Sequence, residues 1–379
     1  MTSTSEASIN RGLRDVYFDR TQSSFIDGRE GKLLYRGYNI HDLAEKSTFE
    51  ETAYLLLYGK LPTKAELAEF DAQLKRDRQL PQPIYRIIET VKHAHPMDVL
   101  RTAVSALGTF DPEARDKSPE ASIRMGIRLS SQVPTIVTAH YAIRNGRQPT
   151  APSPTLGHAA NFLYMFHGKE PTPAAARLMD KDFILHAEHG SNASAFAARV
   201  VIGTDADLHG AITAAVAALA GPSHGGAAEG VMRMALEIGD ASKADDYVKN
   251  LLASGGHVMG FGHRVYRVED PRARHLRDDV RKVSEEVGEP RWYQILEAVV
   301  AAMKPYARRG IHVNVDFYAG AIYYLLGIPE DLFVPIFAIG RVPGWTLQVV
   351  EQQRNNILIR PRMVYTGPVD LQYVPIDQR

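Results

Sequence analysis

Cysteine is absent from the 379-residue sequence. This absence excludes disulfides, thiolate metal sites and catalytic thiols, and it suits a reducing compartment. Net charge is also absent, because 44 Lys and Arg residues balance 44 Asp and Glu residues. A chain without net charge gives no overall indication of binding to nucleic acid or to an anionic membrane. Local clusters of positive charge therefore need a local explanation.

Hydrophobic runs of membrane-spanning length are not expected either. The most apolar run, residues 210–221, is too short to cross a bilayer. It is apolar on all sides, which predicts a helix buried within the protein. The opening "MTSTSEASINRG" lacks the hydrophobic segment of a secretory signal. These features predict a soluble, cytoplasmic protein without membrane contact, and its length allows about two domains.

Helix start signals recur along the chain, whereas clear strand patterns are scarce. Ser47 and Glu50, and likewise Thr63 and Glu66, have the spacing of capping boxes. In a capping box, two side chains satisfy the free amides at a helix N-terminus. We therefore predict a helix opening at each place and a mainly α fold.

Two further segments carry clear helix boundaries. Thr172 followed by Pro173 predicts a helix N-terminus, because proline at the first helical position needs no partner for an amide. Between Ala273 and Val287, apolar residues recur every three or four positions. This spacing predicts an amphipathic helix ended by Gly288.

Two segments are predicted to be non-helical. Within "SFIDGREGKLLYRG", Asp27-Gly28 can turn a small N-terminal β-hairpin. Near the other end, Pro361, Pro368 and Pro375 interrupt the chain and predict an extended arm. Such an arm needs a surface to lie on. The sequence leaves open whether a partner subunit or the chain's own core provides that surface.

The segment "GFGHRVYRVEDPRAR" concentrates positive charge in an otherwise balanced chain. Gly260 and Gly262 allow close approach of a flat ligand, although GxG alone is a weak nucleotide motif. Asp270-Pro271 predicts a helix start that places Arg272 in the first turn. There an arginine and the helix N-terminus both favour an anionic ligand. The other arginines, which either contact a ligand or are solvated at the surface, are Arg264, Arg267 and Arg274.

Three histidines are candidates for hydrogen bonding to a substrate. His224 lies among glycines after an apolar run, where a neutral imidazole can donate to a developing oxyanion. The alternative is a turn histidine with a structural role. His186 and His189 are three positions apart and could share a helix face. Since neither cysteine nor an H-E-x-x-H order is present, a polar substrate cluster is favoured over a metal site. A buried capping network is the structural alternative.

Asp316 follows a short β-like run and precedes an aromatic, apolar helix. It is either a helix N-cap or a general base at an apolar boundary. Arg341 and Arg360 are isolated cations in apolar surroundings, where an unpaired charge is costly. Both need anionic partners, and a small polycarboxylate would suit them. The whole inventory indicates acid–base chemistry on a substrate with several carboxylates.

Five motifs carry a resemblance that covers nearly the whole chain. "HAEHGSNAS", "GPSHGG", "GFGHRVYRVEDPRA", "VNVDFYAG" and "RPRMVYTG" occur in the order and approximate spacing of citrate synthases. The chain resembles the shorter, dimeric bacterial and archaeal form. The resemblance implies a large helical domain (residues 1–225 and 328–379) and a smaller, mobile helical domain (residues 226–327). It also implies acetyl-CoA and oxaloacetate as substrates, with no metal and no other cofactor.

The resemblance further implies a role for each motif residue. Asp316 would remove a methyl proton from acetyl-CoA, His224 would bind the thioester oxygen, and His263 would protonate the keto oxygen of oxaloacetate. The implied oxaloacetate-binding residues are His189, Asn192, Ser194, Arg272, Arg341 and Arg360, the last supplied by the other subunit of a homodimer. The implied CoA-binding residues are Gly260, Phe261, Gly262 and Arg267.

Several positions depart from the family's usual pattern. Ser223, Ala228, Val313, Ala319 and Gln348 stand where the family usually has Leu, Asn, Pro, Ser and His. None of them removes an implied acid, base or arginine. Two alternatives therefore stay open: a 2-methylcitrate synthase that uses propionyl-CoA, and a catalytically idle paralogue that binds CoA or carboxylates.

Overall fold

The computed structural model describes residues 9–13 and 16–379. Within them the protein is mainly α, as predicted, with sixteen α-helices and one small sheet. The helices are α1 (Ile40–Lys46), α2 (Phe49–Tyr58), α3 (Lys64–Arg76), α4 (Gln82–Thr90), α5 (Pro96–Leu107), α6 (Pro119–Arg144), α7 (His158–His167), α8 (Pro173–His186), α9 (Ala193–Ile202), α10 (Leu208–Leu219), α11 (Ala227–Ile238), α12 (Ala244–Ala253), α13 (Ala273–Glu286), α14 (Arg291–Met303), α15 (Asp316–Leu325) and α16 (Phe333–Arg354).

The small sheet confirms the predicted hairpin. Strands β1 (Ser24–Asp27) and β2 (Lys32–Tyr35) pair antiparallel, and β3 (Tyr38–Asn39) adds to β2. The turn begins at Asp27-Gly28, where the Asp27 carboxylate accepts the next two free amides, from Arg29 and Glu30, at 2.8 and 2.9 Å. The strand pairing resumes at Lys32, opposite Asp27.

The first predicted capping box is wrong by one residue. Thr48 and Glu51 form the box that opens α2, each side chain accepting from the other's backbone amide. Ser47 instead approaches another side chain, and Glu50 turns inward, where it accepts from the His158 amide at 2.7 Å. Ser47 and Thr48 are adjacent and chemically alike, so the interior contact of Glu50 decides which pair caps the helix.

The other helix boundaries agree with the predictions. Thr63 and Glu66 form a complete capping box at α3, and Thr172 caps α8 with Pro173 in its first turn. Helix α13 buries its apolar face and gives way to Gly288, which has a positive φ of 73°. Local sequence signals were sufficient at these positions.

Helix α16 is the centre of the core, packing against α2, α5, α6, α8, α9 and α10. The segment Glu330–Arg354 has the length and hydropathy of a membrane span, but all of its most apolar part is buried inside the protein. A run of membrane-spanning length therefore exists outside residues 210–221, the run predicted to be the most apolar. Their helix, α10, is also not buried on all sides, because Thr213, Ala214, Ala217 and Ala218 are half-exposed.

Helices α11 to α15 pack on one another as a second layer of the core. Val231, Leu276, Trp292 and Phe317 are among its buried side chains. This layer meets the rest of the protein through α16 and through polar contacts with α1 and α8. It positions the segment from residue 260 to residue 272 next to the end of α8.

The C-terminal arm is extended, as its prolines predict. Beyond α16, residues 355–379 form no α-helix and only one short 3-10 turn. Its apolar side chains do not lie on the chain's own core. The large exposed ones are Ile357, Leu358, Met363, Val364, Tyr365, Val369, Leu371, Tyr373, Val374 and Ile376.

Gly344 is required for close contact between α16 and the end of α8. A Cβ atom at this position would collide with the Ala187 carbonyl and lie 2.8 Å from a Glu188 carboxylate oxygen. We expect Gly344→Ala to lower the free energy of unfolding by about 1–3 kcal/mol, because neither helix can withdraw from a packed core. Urea unfolding would measure the change. Gly210→Ala is the control: its Cβ would meet only ordinary contacts, so we expect little loss or a small gain.

Candidate active site

The predicted site residues come together where five segments meet. These are the turn after α8, the turn before α11, the segment of residues 260–272, the start of α15 and the middle of α16. Of the predicted set, only Arg360 lies away from this place, in the exposed arm, where it donates to the Pro361 carbonyl at 3.3 Å. The prediction that Arg360 is surrounded by apolar groups is therefore wrong for the single chain.

Arg341 is a buried cation without an ion-pair partner in the described part of the chain. It is 1% exposed, it donates through Nε to the His186 carbonyl, and its guanidinium lies over the Phe337 ring, 4.6 Å from the centroid. Burial lowers its pKa to about 10, partly opposed by Glu188. A desolvated guanidinium with free donors is suited to bind a carboxylate.

Arg272 already has a carboxylate partner. Its Nε and Nη2 donate to the two oxygens of Asp270 at 3.0 and 2.7 Å, and both side chains are buried. Burial favours the neutral forms, but the ion pair outweighs it, so the pKa of Arg272 is raised and that of Asp270 is lowered. Helix α13 begins at Ala273, so Arg272 precedes the first turn rather than lying in it.

His263 has a defined tautomer. Its Nδ1 accepts from the amides of Val265 and Tyr266 at 3.0 and 3.1 Å. Backbone amides only donate, so a neutral ring carries its proton on Nε2. Burial, and next the charge of Arg272, lower the pKa of His263 to about 4. His263 is therefore a neutral donor at ordinary pH.

His189 lies beside His263 but not on a helix. Helix α8 ends at His186, so the prediction of a helix face shared by His186 and His189 is wrong. His189 is buried in the following turn, with Nε2 3.1 Å from the Tyr266 hydroxyl and its ring steeply inclined to that of His263. Burial and Arg272 place the pKa of His189 well below its usual value.

His224 has the opposite tautomer. Its Nε2 lies 3.3 Å from the Ser194 amide and 2.9 Å from the Ser194 hydroxyl. Because the amide donates to Nε2, the neutral ring carries its proton on Nδ1. Burial and then Arg341 lower the pKa of His224 to about 4. The Ser194 hydroxyl accepts from the Trp345 indole at 3.0 Å and lies 2.8 Å from Oδ1 of Asn192, which caps α9.

Asp316 is the first residue of α15 but does not cap it. No side-chain cap bond forms there, and its own amide is bound by the Asn314 side chain at 3.1 Å. Burial raises the pKa of the Asp316 carboxyl, while His186, Arg272 and Arg341 oppose the rise. A carboxylate with a raised pKa and without a capping role has the properties of a general base.

The two glycines of the 260–262 turn differ. Both have positive φ, 76° at Gly260 and 86° at Gly262. A Cβ at Gly260 would collide with Phe317 and Val231, so that space is used by the protein's own packing. Gly262 faces open space, where a Cβ atom would meet nothing within 4 Å. Only Gly262 thus leaves room for a ligand.

The other two predicted CoA-binding residues are Phe261, between the two glycines, and Arg267, which follows the turn. Phe261 forms an isolated β-bridge with Val313, and its ring meets Phe317 edge-on at 5.0 Å. Arg267 is exposed, 3.5 Å from the His263 carbonyl, and is free to meet a ligand in solution. A flat ligand could approach the backbone at Gly262, beside Phe261.

A buried polar network behind the site was not predicted. The Gln348 amide donates to Glu188 at 2.8 Å and to Ser23 at 2.9 Å, and its carbonyl accepts from Arg199 at 2.7 Å. Arg199 also pairs with Glu351 at 2.6 Å. The signal available in the sequence was the departure at position 348, whose consequence depends on partners more than a hundred residues away.

The same network stabilises the turn that carries His189. Glu188 accepts from the Gly190 amide at 2.6 Å, and burial raises the pKa of Glu188. Among the residues that the structure describes, no cluster of three or more His, Asp or Glu side chains has the arrangement of a metal site.

The chain matches the family profile described as "Citrate synthase, C-terminal domain" over residues 12–362. It is 46% identical over 375 residues to the citrate synthase of Deinococcus radiodurans, covering 98% of this chain and 100% of the relative. It is 40% identical to 2-methylcitrate synthase 1 of Corynebacterium glutamicum, covering 99% and 100% of the two chains.

A solved structure is also similar. It is the ternary complex of carboxymethyl coenzyme A and oxaloacetate with citrate synthase from Thermoplasma acidophilum. Its TM-score is 0.93 at 31% identity, covering 98% of this chain and all of the other. Fold and site define a helical acid–base enzyme. The chain belongs to the citrate synthase family, as its motifs predict.

Two buried arginines allow the role of Arg341 to be tested without substrate. Arg341→Met should change the free energy of unfolding by no more than about 1 kcal/mol, because removing an unpaired buried charge relieves desolvation. Arg199→Met should cost about 3–5 kcal/mol, because it leaves Glu351 and Gln348 without their partner. Chemical denaturation of both variants measures the contrast. An equal loss of unfolding free energy in the two variants would show that Arg341 stabilises the fold and is not kept free to bind a ligand.

Proposed function

We propose that this protein condenses acetyl-CoA with oxaloacetate and hydrolyses citryl-CoA to citrate and CoA. One observation carries the proposal: a carboxylate with a raised pKa, two neutral histidines with opposite tautomers and an unpaired buried arginine converge on one place. In this proposal acetyl-CoA is a substrate, and acid–base groups supply every step without a metal or other cofactor.

The first step is removal of a proton. The Asp316 carboxylate takes a methyl proton of acetyl-CoA, and the electron pair moves toward the thioester oxygen. His224 donates from Nδ1 to that oxygen, which stabilises the developing charge without the cost of a buried imidazolium. The Ser194 amide keeps Nε2 as the acceptor and so keeps the proton on Nδ1. The product is the enol or enolate of acetyl-CoA.

Carbon–carbon bond formation follows. The enolic methylene attacks the keto carbon of oxaloacetate, and the keto oxygen receives a proton from Nε2 of His263. The amides of Val265 and Tyr266 hold the other nitrogen and aim Nε2 outward. His263, now one proton short, takes a proton from the water that attacks the thioester carbonyl of citryl-CoA. The C–S bond breaks, and the departing thiolate takes the proton held by Asp316 to give CoA.

Oxaloacetate binding falls mainly to Arg341 and His189. Arg341 has free donors, whereas Asp270 already compensates much of the charge of Arg272. Arg272 therefore contributes its remaining N–H groups more than its net charge. Asn192 and Ser194 border the same space through the start of α9. For CoA, we propose contacts with Phe261, Gly262 and Arg267, with Gly260 shaping the turn.

We also propose that the protein has two domains that close over the substrates. The large domain comprises residues 1–225 and 328–379, and the small domain comprises residues 226–327. The packing of α11 to α15 on one another supports this division. Closure would exclude water while the enol exists. Asp316 and His263 would come from the small domain, and His224 and Arg341 from the large one.

We propose a homodimer in which Arg360 completes the partner's site. The arm that carries Arg360 exposes a series of apolar side chains, Met363 and Tyr373 among them, that need a covering surface. Half-exposed small residues on α10, including Ala214 and Ala217, offer a flat apolar face for subunit contact. We further propose a cytoplasmic location, for which a chain without cysteine is suited.

Release of CoA, followed with a thiol-reactive dye, tests the proposed reaction directly. The chain has no cysteine, so the protein gives no background signal. We expect rapid release from acetyl-CoA only when oxaloacetate is present. Asp316→Ala should reduce turnover by at least about a thousandfold, because the base is lost. Its oxaloacetate affinity, measured by calorimetry, should change little.

The same assay separates the alternatives. Faster release from propionyl-CoA than from acetyl-CoA would favour a 2-methylcitrate synthase, to which the chain is also similar. One methylene changes such a preference by only about 1–3 kcal/mol, so the two rates must be compared under identical conditions. No release from either thioester would contradict both enzymatic functions and favour an idle binding protein.

Mixed dimers test the contribution of Arg360 across the interface. Arg341→Ala and Arg360→Ala homodimers should each be nearly inactive. When they are unfolded, mixed in equal amounts and refolded, about half of the dimers should be mixed, each with one intact site. Activity should then recover to roughly a quarter of wild type.

Arg341→Ala mixed with Asp316→Ala is the matched control for that experiment. These two residues lie in the same subunit's site, so their mixed dimers contain no intact site and should stay inactive. If the Arg341→Ala and Arg360→Ala mixture also fails to recover, Arg360 does not act across the interface.

A further inference from the structure

Asp182 is a buried carboxylate that the proposed reaction leaves unused. It lies one turn before the end of α8 and is 0% exposed. One oxygen accepts from the Tyr323 hydroxyl at 2.7 Å, and the other lies 3.3 Å from Nδ1 of His186. Within the described ranges, neither lysine nor arginine pairs with it. Burying a carboxylate away from water costs free energy, so a function that depends on the two contacts of Asp182 would explain why it is buried here.

The first contact fixes the ring of His186. Nδ1 lies 2.9 Å from the Asp182 backbone carbonyl in addition to its contact with the carboxylate. Both oxygens only accept, so Nδ1 carries a proton. Nε2 of His186 is buried and has no hydrogen-bond partner among the described residues. The Asp182 backbone carbonyl thus binds the His186 ring, and the Asp182 carboxylate oxygen lies close to that ring without a hydrogen bond of its own among the described residues.

The second contact fixes the helix that carries Asp316. Asp316 and Tyr323 are seven positions apart on α15, about two turns, and so lie on one face of that helix. The pKa of the Tyr323 hydroxyl is raised by burial, by Asp182 and further by Asp316. The bond of the Tyr323 hydroxyl to Asp182 joins α15 to α8 on the helix face that also carries Asp316.

We propose that Asp182 is a positioning residue for Asp316. Through His186 and Tyr323 it fixes both the location and the charge environment of the Asp316 carboxylate. This inference rests on the proposed function, in which Asp316 removes the methyl proton. Burial raises the pKa of Asp316, and the neighbouring His186 opposes that rise. Without the Asp182 side chain, the His186 ring and helix α15 would each lose a contact that holds them in place.

A purely structural role is the competing explanation, and the structure contains a control for it. Lys181, the residue before Asp182, pairs with Asp279 of α13 at 2.6 Å. This ion pair also joins α8 to the α11–α15 layer and is mostly buried, but it contacts neither His186 nor Tyr323. Asp279→Asn therefore removes a neighbouring contact between α8 and the α11–α15 layer, and it leaves the contacts of Asp182 with His186 and Tyr323 in place.

Asp182→Asn is the test variant, with kcat and KM measured across pH by CoA release. We expect kcat to fall at least about tenfold, because the base is misplaced, while KM for oxaloacetate stays within about twofold. Asp316 must be deprotonated to act, so kcat falls as pH decreases through its pKa. With His186 no longer held, that pKa rises further, and the acid limb should move up by about half a pH unit or more.

Two comparisons complete the experiment. Asp279→Asn should leave the acid limb unchanged. In a His186→Gln background, Asp182→Asn should shift the acid limb much less, because the two residues act through one another. If Asp182→Asn does not fold, Tyr323→Phe replaces it and should lower kcat with an unchanged KM for oxaloacetate.

The outcomes are distinguishable. An inactive wild-type protein would contradict the proposed function itself. An active wild type with a folded Asp182→Asn variant of normal kcat and normal pH profile would overturn only the positioning role. Independent shifts of the acid limb in the double variant, or an equal shift in Asp279→Asn, would show that Asp182 acts on packing alone.

Discussion

The rest of the structure depends on one constraint: α16 is buried on every face from Phe333 to Val350, yet it carries polar side chains. Every donor and acceptor on it must find a partner inside the protein, or keep one free for a ligand. Gln348 joins Glu188 to Arg199, and Trp345 donates to Ser194. These bonds fix the end of α8 and the start of α9. Among the buried and described residues of this helix, only Arg341 keeps guanidinium donors free, and the site surrounds it.

The same exclusion of water also shifts the pKa values of the groups proposed to act in catalysis. Burial lowers the pKa of His224 and His263 to about 4 and raises that of Asp316. The histidines are then neutral donors, and the carboxylate is a stronger base than usual. Backbone amides decide which ring nitrogen holds the proton, on Nδ1 in one histidine and Nε2 in the other. The buried fold thus fixes both where these side chains lie and which of their atoms carry protons.

Local signals predicted the helices wherever neighbouring residues decided the outcome, as for Thr63 with Glu66 and Thr172 with Pro173. They failed where a distant contact chose between equal patterns. Thr48 replaced Ser47 as the cap because Glu50 binds the amide of His158. Likewise, the spacing of His186 and His189 could not reveal that α8 ends between them. The periodicity of a helix contains no information about a partner a hundred residues away.

By itself, the sequence determined the mainly α class, the hairpin, the extended arm and the motif residues that place the chain among the citrate synthases. Those features are local or depend on motif identity, so they can be read in chain order. Only the tertiary structure decided that Asp270 already neutralises Arg272, that Phe317 fills the space at Gly260, and that Asp182 meets Tyr323. Each of these is a buried contact whose energy depends on desolvation, and desolvation exists only once the chain has folded.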